Sequence, residues 1–201
     1  MNIYTKSIKD NVEIQLNKSI QDVNENELLN IKVMTLDQLE YDGDVNLVDY
    51  DEIMYFINLE ELNVFNCMIN EKLLNNILKL EKLRILNIYD SDFVDYINDS
   101  FSKMNIENLT LNNCLGISIN ELSNLKYLDI KNINIDFNIN NVETLNISNS
   151  KNKLKELNLN NVKNIIISRN NYDNETDLYI FKSNIIVVDD KNEIIKENKN
   201  D

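Results

Sequence analysis

Apolar residues in the middle of the chain return in one short pattern. Leu59-Glu60-Glu61-Leu62-Asn63-Val64 places them at offsets 0, 3 and 5. The same spacing recurs in the hexamers opening at Leu83, Ile106, Leu125 and Val142, and more weakly at Leu36. The six starts, 36, 59, 83, 106, 125 and 142, lie 23, 24, 23, 19 and 17 residues apart. Alternate side chains of a strand face opposite sides. Offsets 3 and 5 of each hexamer therefore share an inward face, joined by offset 0 just before the strand. One such unit cannot bury its own apolar face. Successive units must stack, with their strands parallel, around one shared interior.

Between the hexamers the period changes. Leu73, Leu74, Ile77, Leu78 and Leu80 form a helical stripe in the connector after the Leu59 hexamer. Phe93, Tyr96, Ile97 and Phe101 suggest a second helix over 93–101. After Ile130 the connectors are too short for a full helix. Leu154 to Leu159 and Val162 to Ile167 both fit the hexamer but overlap as repeats. We favour Val162 as the opening of the next strand, with 154–159 as a strand on the opposite wall and a last strand at 185–188. Near the N-terminus Val12, Ile14 and Leu16 alternate with polar residues, which predicts a strand paired with 3–8 through a turn at 9–11. The charged tail from Asp189 is expected to fray.

These hexamers resemble those of leucine-rich-repeat proteins, over about 36 to 170. That family carries Asn or Cys three residues beyond the last strand leucine. Cys67 and Cys114 stand there, with Ser91 between them. The chain thus partly resembles the cysteine-containing variety of the repeat. Ile133 and Ser150 depart from the pattern, which implies an incomplete backbone-capping ladder in the second half. The resemblance implies an α/β fold, a leucine-rich-repeat solenoid: a right-handed β-α superhelix with a parallel concave sheet. Helices would lie on its convex side in the N-terminal half, and short or extended connectors in the C-terminal half. Residues 1–201 would form a single domain, with a cap over 1–35, repeats over 36–188 and a tail over 189–201.

Composition narrows the chemistry. The chain has no His, Pro or Trp and only two Gly. Without His there is no Ser-His or Cys-His nucleophile pair, and without a glycine-rich loop no phosphate cradle. No catalytic residue, cofactor or metal is expected. Asp42-Gly43-Asp44-Val45-Asn46 begins like a calcium loop, but Leu47 and Ile53 replace the Gly and Glu that complete one; it reads as a polar connector. Asn-x-Ser/Thr triplets at Asn17, Asn98, Asn108, Asn146 and Asn174 are expected by chance in an Asn-rich chain. Cys67 and Cys114 are two repeats apart, so about 10 Å at a strand spacing of about 4.8 Å, beyond the roughly 7 Å a disulfide bridges. They are expected to be buried free thiols.

Acidic residues outnumber basic ones 34 to 20, a net charge of −14. That disfavours nucleic acid and anionic membranes as partners and suits a protein, including a basic one. No stretch is apolar enough to span a bilayer and the N-terminus lacks an apolar signal core, so a cytoplasmic location is expected.

The outward strand positions form columns. Offset 2 reads Glu61, Ile85, Asn108, Tyr127, Thr144; offset 4 reads Asn63, Asn87, Thr110, Asp129, Asn146; offset 6 reads Phe65, Tyr89, Asn112, Lys131, Ser148. Exposed aromatics beside an Arg have the make-up of binding hot spots. The candidate partner-binding patch is Glu61, Phe65, Arg84, Ile85, Asn87, Tyr89, Tyr127 and Asp129. Resemblance to the family implies a non-catalytic recognition module that binds a protein on its concave face. An acidic inhibitor or immunity-type protein covering a basic enzyme stands as the alternative, with substrate recruitment for ubiquitin transfer a third reading.

Overall fold

A computed structural model of the chain describes residues 3, 5–38, 50–94, 104–116, 121–179 and 181–199. Its centre is a nine-stranded sheet. In spatial order the strands are β1 (Val33–Asp37), β2 (Glu61–Phe65), β4 (Ile85–Tyr89), β6 (Asn108–Asn112), β8 (Tyr127–Lys131), β10 (Thr144–Asn146), β12 (Asn164–Ser168), β13 (Asn184–Val188) and β14 (Ile194–Asn198). The first eight run parallel, and β14 pairs antiparallel with β13.

Register is set by the buried columns. Met34, Leu62, Leu86, Leu109, Leu128, Leu145, Ile165 and Ile185 lie side by side at offset 3. Every one of them is buried, as are Leu36, Val64, Ile88, Leu111, Ile130, Ile147, Ile167 and Val187 at offset 5. Each such side chain removed from water stabilises the stack by about 1.5–3 kcal/mol. A slip of one residue would turn every one of them outward.

The opposite wall is built from two small parallel sheets. β3 (Met68–Ile69) pairs with β5 (Asp92–Phe93). β7 (Glu121–Ser123), β9 (Asn138–Asn140) and β11 (Leu159–Asn160) form the other. Between β3 and β4 runs α3 (Glu71–Leu78), as its apolar stripe predicts; Asn70 caps it by accepting the Leu73 N–H at 2.9 Å, and Leu73, Leu74 and Ile77 are buried. Of the second expected helix, Phe93 lies in β5 instead, and residues 95–103 lie outside the described residues. The polar connector read at Asp42 to Asn46 also lies outside them. The contest between 154 and 162 falls to 162. Val162 is buried ahead of β12, while Leu154 opens a 3-10 turn, so the opposite-wall strand is only β11 rather than all of 154–159.

Three expectations about the ends are corrected. The first hexamer opens at Ile31, not Leu36. Leu36 lies opposite Val64, which is the offset-5 position, so the hexamer is Ile31-Lys32-Val33-Met34-Thr35-Leu36. The step from 31 to 59 is thus 28 residues rather than 23. Second, the predicted N-terminal strands are a helix, α1 (Lys6–Leu16). Ile8 and Val12 face the core at helical spacing, whereas Ile14 is 79% exposed. The helix covers the free edge of β1: the Thr35 N–H donates to Asn11 Oδ1 and Asn11 Nδ2 to the Thr35 carbonyl, both at 3.2 Å. Gln15 Nε2 reaches the Val33 carbonyl at 2.7 Å. Two side chains thereby take the place of a neighbouring strand. A short helix, α2 (Glu25–Leu28), follows, closed by a capping box between Asn24 and Glu27. Third, the tail does not fray at once, because β14 pairs with β13 and ends the sheet.

The capping ladder also differs from expectation. In the first half the Cys67 N–H donates to Ser91 Oγ (3.1 Å), and the Cys67 and Cys114 thiols meet the carbonyls of Phe65 (3.1 Å) and Asn112 (3.4 Å). In the second half the ladder continues, displaced along the chain, through Asn152, two residues beyond Ser150, and through Asn171 in the next repeat. Asn152 accepts the Ile135 N–H (2.8 Å) and donates to the Ile133 carbonyl (2.7 Å). Asn171 accepts the Ser168 N–H at 2.8 Å and donates to the Ser150 carbonyl at 3.1 Å.

Candidate partner-binding face

The side of the main sheet away from the core carries the offset-2, -4 and -6 columns. Phe65 and Tyr89 stand opposite one another in β2 and β4, and their rings stack with centroids 4.7 Å apart and planes 10° apart. One pleat back, Asn87 Nδ2 donates to Asn63 Oδ1 (2.8 Å) and Asn63 Nδ2 to Glu61 Oε1 (3.1 Å). This amide ladder fixes the orientation of the Glu61 carboxylate. Ile85 sits between Glu61 and Asn108. The sheet therefore brings Glu61, Phe65, Ile85, Asn87 and Tyr89 together on two adjacent strands.

Tyr127 and Asp129 lie two strands further, on β8, with β6 between. The Tyr127 hydroxyl accepts a hydrogen bond from Asn146 Nδ2 at 3.2 Å. Asp129 is only 7% exposed although it belongs to the outer column. Its Oδ2 is 2.9 Å from Lys131 Nζ, and its Oδ1 is buried without a hydrogen-bond partner. Burial pushes the Asp129 carboxyl above its ordinary range, partly offset by Lys131. Lys131 has the opposite balance: burial lowers its pKa, but Asp129 more than compensates.

Arg84 is placed apart from this group, at the strand margin. Its Nη1 donates to the carbonyls of Glu81 (2.8 Å) and Leu83 (2.9 Å), and its Nε is 3.9 Å from Glu107. It belongs to a column that the sequence reading missed. Offset 1 reads Lys32, Glu60, Arg84, Glu107, Lys126, Glu143, Lys163, with alternating charge. Lys32 meets Glu60 at 2.8 Å, Lys126 meets Glu107 at 2.6 Å and Lys163 meets Glu143 at 3.6 Å. The signal was present in the sequence, but only the register corrected to Ile31 brings Lys32 to the head of the row.

Lys131 was likewise outside the candidate patch, although it ends β8 and pairs with Asp129, one of its members. It also lines a polar cavity of about 470 Å³ with Ser148, Ser168, Asn170, Asp189 and Asp190, among others. Both cysteines are buried and neither is in a disulfide, as expected. Desolvation pushes the Cys114 thiol up to about 11. Among the described residues, no group of three His, Cys, Asp or Glu side chains is placed to hold a metal ion, and no helix is long and apolar enough to cross a membrane.

No protein-family model matches the chain, and no curated protein does at the sequence level. Its structure is similar to the crystal structure of internalin C2 from Listeria monocytogenes, with a TM-score of 0.51 over 92% of each chain and 17% identity. With the in-register parallel strands, that likeness establishes the fold: the chain is a leucine-rich-repeat solenoid.

Proposed function

We propose that the chain is a non-catalytic recognition module whose open sheet face, concave in this fold, receives a protein. The Phe65–Tyr89 stack carries the reading. Two aromatic rings are held parallel on neighbouring strands and remain partly exposed, and a rigid aromatic surface of this kind suits a hot spot. The contact residues are Glu61, Phe65, Ile85, Asn87, Tyr89, Tyr127 and Asp129, with Arg84 at the rim. Fold alone does not name a partner. Two buried cysteines outside any disulfide are in keeping with a reducing, cytoplasmic setting.

The test is capture from the native cell by the intact chain and by a variant carrying Phe65→Ala, Tyr89→Ala and Tyr127→Ala. Loss of capture by the folded variant supports the reading, and unchanged capture overturns it. A second reading is favoured by the net charge of −14: an acidic cover for a basic enzyme. In that case the association rate falls steeply with added salt, whereas an aromatic hot spot is nearly salt-insensitive.

A further inference from the structure

The Asp129 carboxylate is incompletely satisfied. Lys131 provides one ammonium contact to Oδ2, and Oδ1 is closed off from solvent with no donor. The amide on the neighbouring strand does not help. Asn146 directs Nδ2 to the Tyr127 hydroxyl, while its Oδ1 takes the Ser148 N–H (3.0 Å) and hydroxyl (2.7 Å). A desolvated acceptor without a donor is costly, and a ligand that supplies the donor recovers that cost. An ammonium is a compact point charge. A guanidinium presents a planar fork that matches both carboxylate oxygens at once.

We propose that Asp129 anchors an arginine side chain of the protein partner, which displaces Lys131 and bonds both carboxylate oxygens. This rests on the reading that the open face receives a protein. Three further observations favour it. Lys131, the present partner of Asp129, lines the 470 Å³ cavity, so a displaced lysine has room to move into. Asp189 and Asp190 bring two more carboxylates to that cavity, and the net charge of −14 favours a cation. Tyr127 stands two residues before Asp129 on the same face of β8, which brings an aromatic side chain to the same part of the sheet as the carboxylate.

The probe is N-acetyl-Gly-Arg-Gly-amide, titrated into the isotope-labelled full chain and followed by backbone amide shifts. Saturable shifts centred on Asp129 and Lys131 are expected. The lysine analogue should bind at least about tenfold more weakly, because it leaves one charge-assisted hydrogen bond unmade, and the neutral citrulline analogue should not bind. Asp129→Asn should abolish saturation while keeping native amide dispersion. Lys131→Met removes the competitor and should tighten the arginine peptide but not raise the lysine peptide to match it. Lys151→Met, at the same cavity, is the charge control and should leave that selectivity as it is. Equal binding of the two cationic peptides, indifference to Asp129→Asn, or weaker arginine binding by Lys131→Met each overturns the proposal. Failure of the arginine peptide alongside loss of capture by the aromatic triple variant would sink the anchor and leave the face standing. Arginine binding alongside unchanged capture would do the reverse.

Discussion

Asn171 Nδ2 donates to the backbone carbonyl of Asn152, 2.8 Å away and 19 residues earlier in the chain. One ladder asparagine thus rests on the backbone of the one before it. Both are buried, Asn152 at 5% exposure and Asn171 at 0%. The second half of the solenoid satisfies its turn backbone with these amides, where the first half uses Ser91 and the two thiols.

Asn171→Ala strands the Ser168 N–H and removes a donor from two buried carbonyls. The expected loss is roughly 2–4 kcal/mol, since an orphaned buried group costs about 1–3 kcal/mol. Urea unfolding measures it. Asn170→Ala, at an exposed neighbour, should change little; equal effects at the two sites would show that the ladder is not the cause.

Gly116 has φ +68°, and a Cβ there would lie 2.3 Å from the Phe93 carbonyl oxygen. Neither the backbone conformation nor the space admits a side chain. Gly116→Ala is expected to cost about 1–3 kcal/mol and to loosen the wall where Leu115 bridges Asp92. Amide exchange at Phe93, whose N–H donates to the Leu115 carbonyl at 2.8 Å, should speed up in the variant.

Cys114 is held as a thiol by desolvation, with its pKa raised to about 11. An unfolded cysteine titrates at about 8.5. The folded state keeps the proton that the unfolded state releases, so this contribution to stability is full below about pH 8.5 and is lost as pH rises towards 11. Cys114→Ala should flatten that alkaline decline. Thiol reagents at neutral pH should label the native chain slowly and the urea-unfolded chain fast.

Asp129 is raised for the same reason, chiefly burial. Its effect on stability is fully favourable below the unfolded carboxyl pKa and is lost as pH rises through the folded one. Asp129→Asn should therefore raise the urea midpoint at pH 7 and have little effect at pH 3. A lower midpoint at pH 7 would mean that the Lys131 pair outweighs desolvation.

The alternating margin row should respond to salt. Glu107 pairs with Lys126 and Arg84, and the hydrogen bond from Lys126 is the main cause holding its carboxyl low. Glu107→Lys puts three cations in a line. It should lower the melting temperature at low ionic strength, with the gap closing as salt is added, because exposed pairs are screened.

The asparagines show why part of this was not legible in the sequence. Of nine described non-glycine residues with positive φ, eight are Asn and the ninth is Asp90. Asn66, Asp90, Asn113 and Asn132 each follow a main-sheet strand, while Asn124, Asn141 and Asn161 each precede an inward offset-0 residue. Asn tolerates the left-handed region, so it makes in this glycine-poor chain the turns that Gly makes elsewhere. Composition displays the Asn excess, but its purpose appears only when these residues fall into columns.

The sequence by itself determined the repeat. A strand alternates its side chains, so apolar residues at offsets 0, 3 and 5 admit a single burial solution, and the strands from Leu59 onward and the helix after β3 follow from it. The tertiary structure alone decided which hexamer came first, that 6–16 would be helix, how the ladder continued past Ile133, and that Asp129 would be left one donor short. Each of those depends on backbone or side-chain groups in the neighbouring repeat that need a partner. Ile8 and Val12 suit a helix while Val12, Ile14 and Leu16 suit a strand, and the exposed edge of β1 settles the choice, because Asn11 and Gln15 can reach it from a helix.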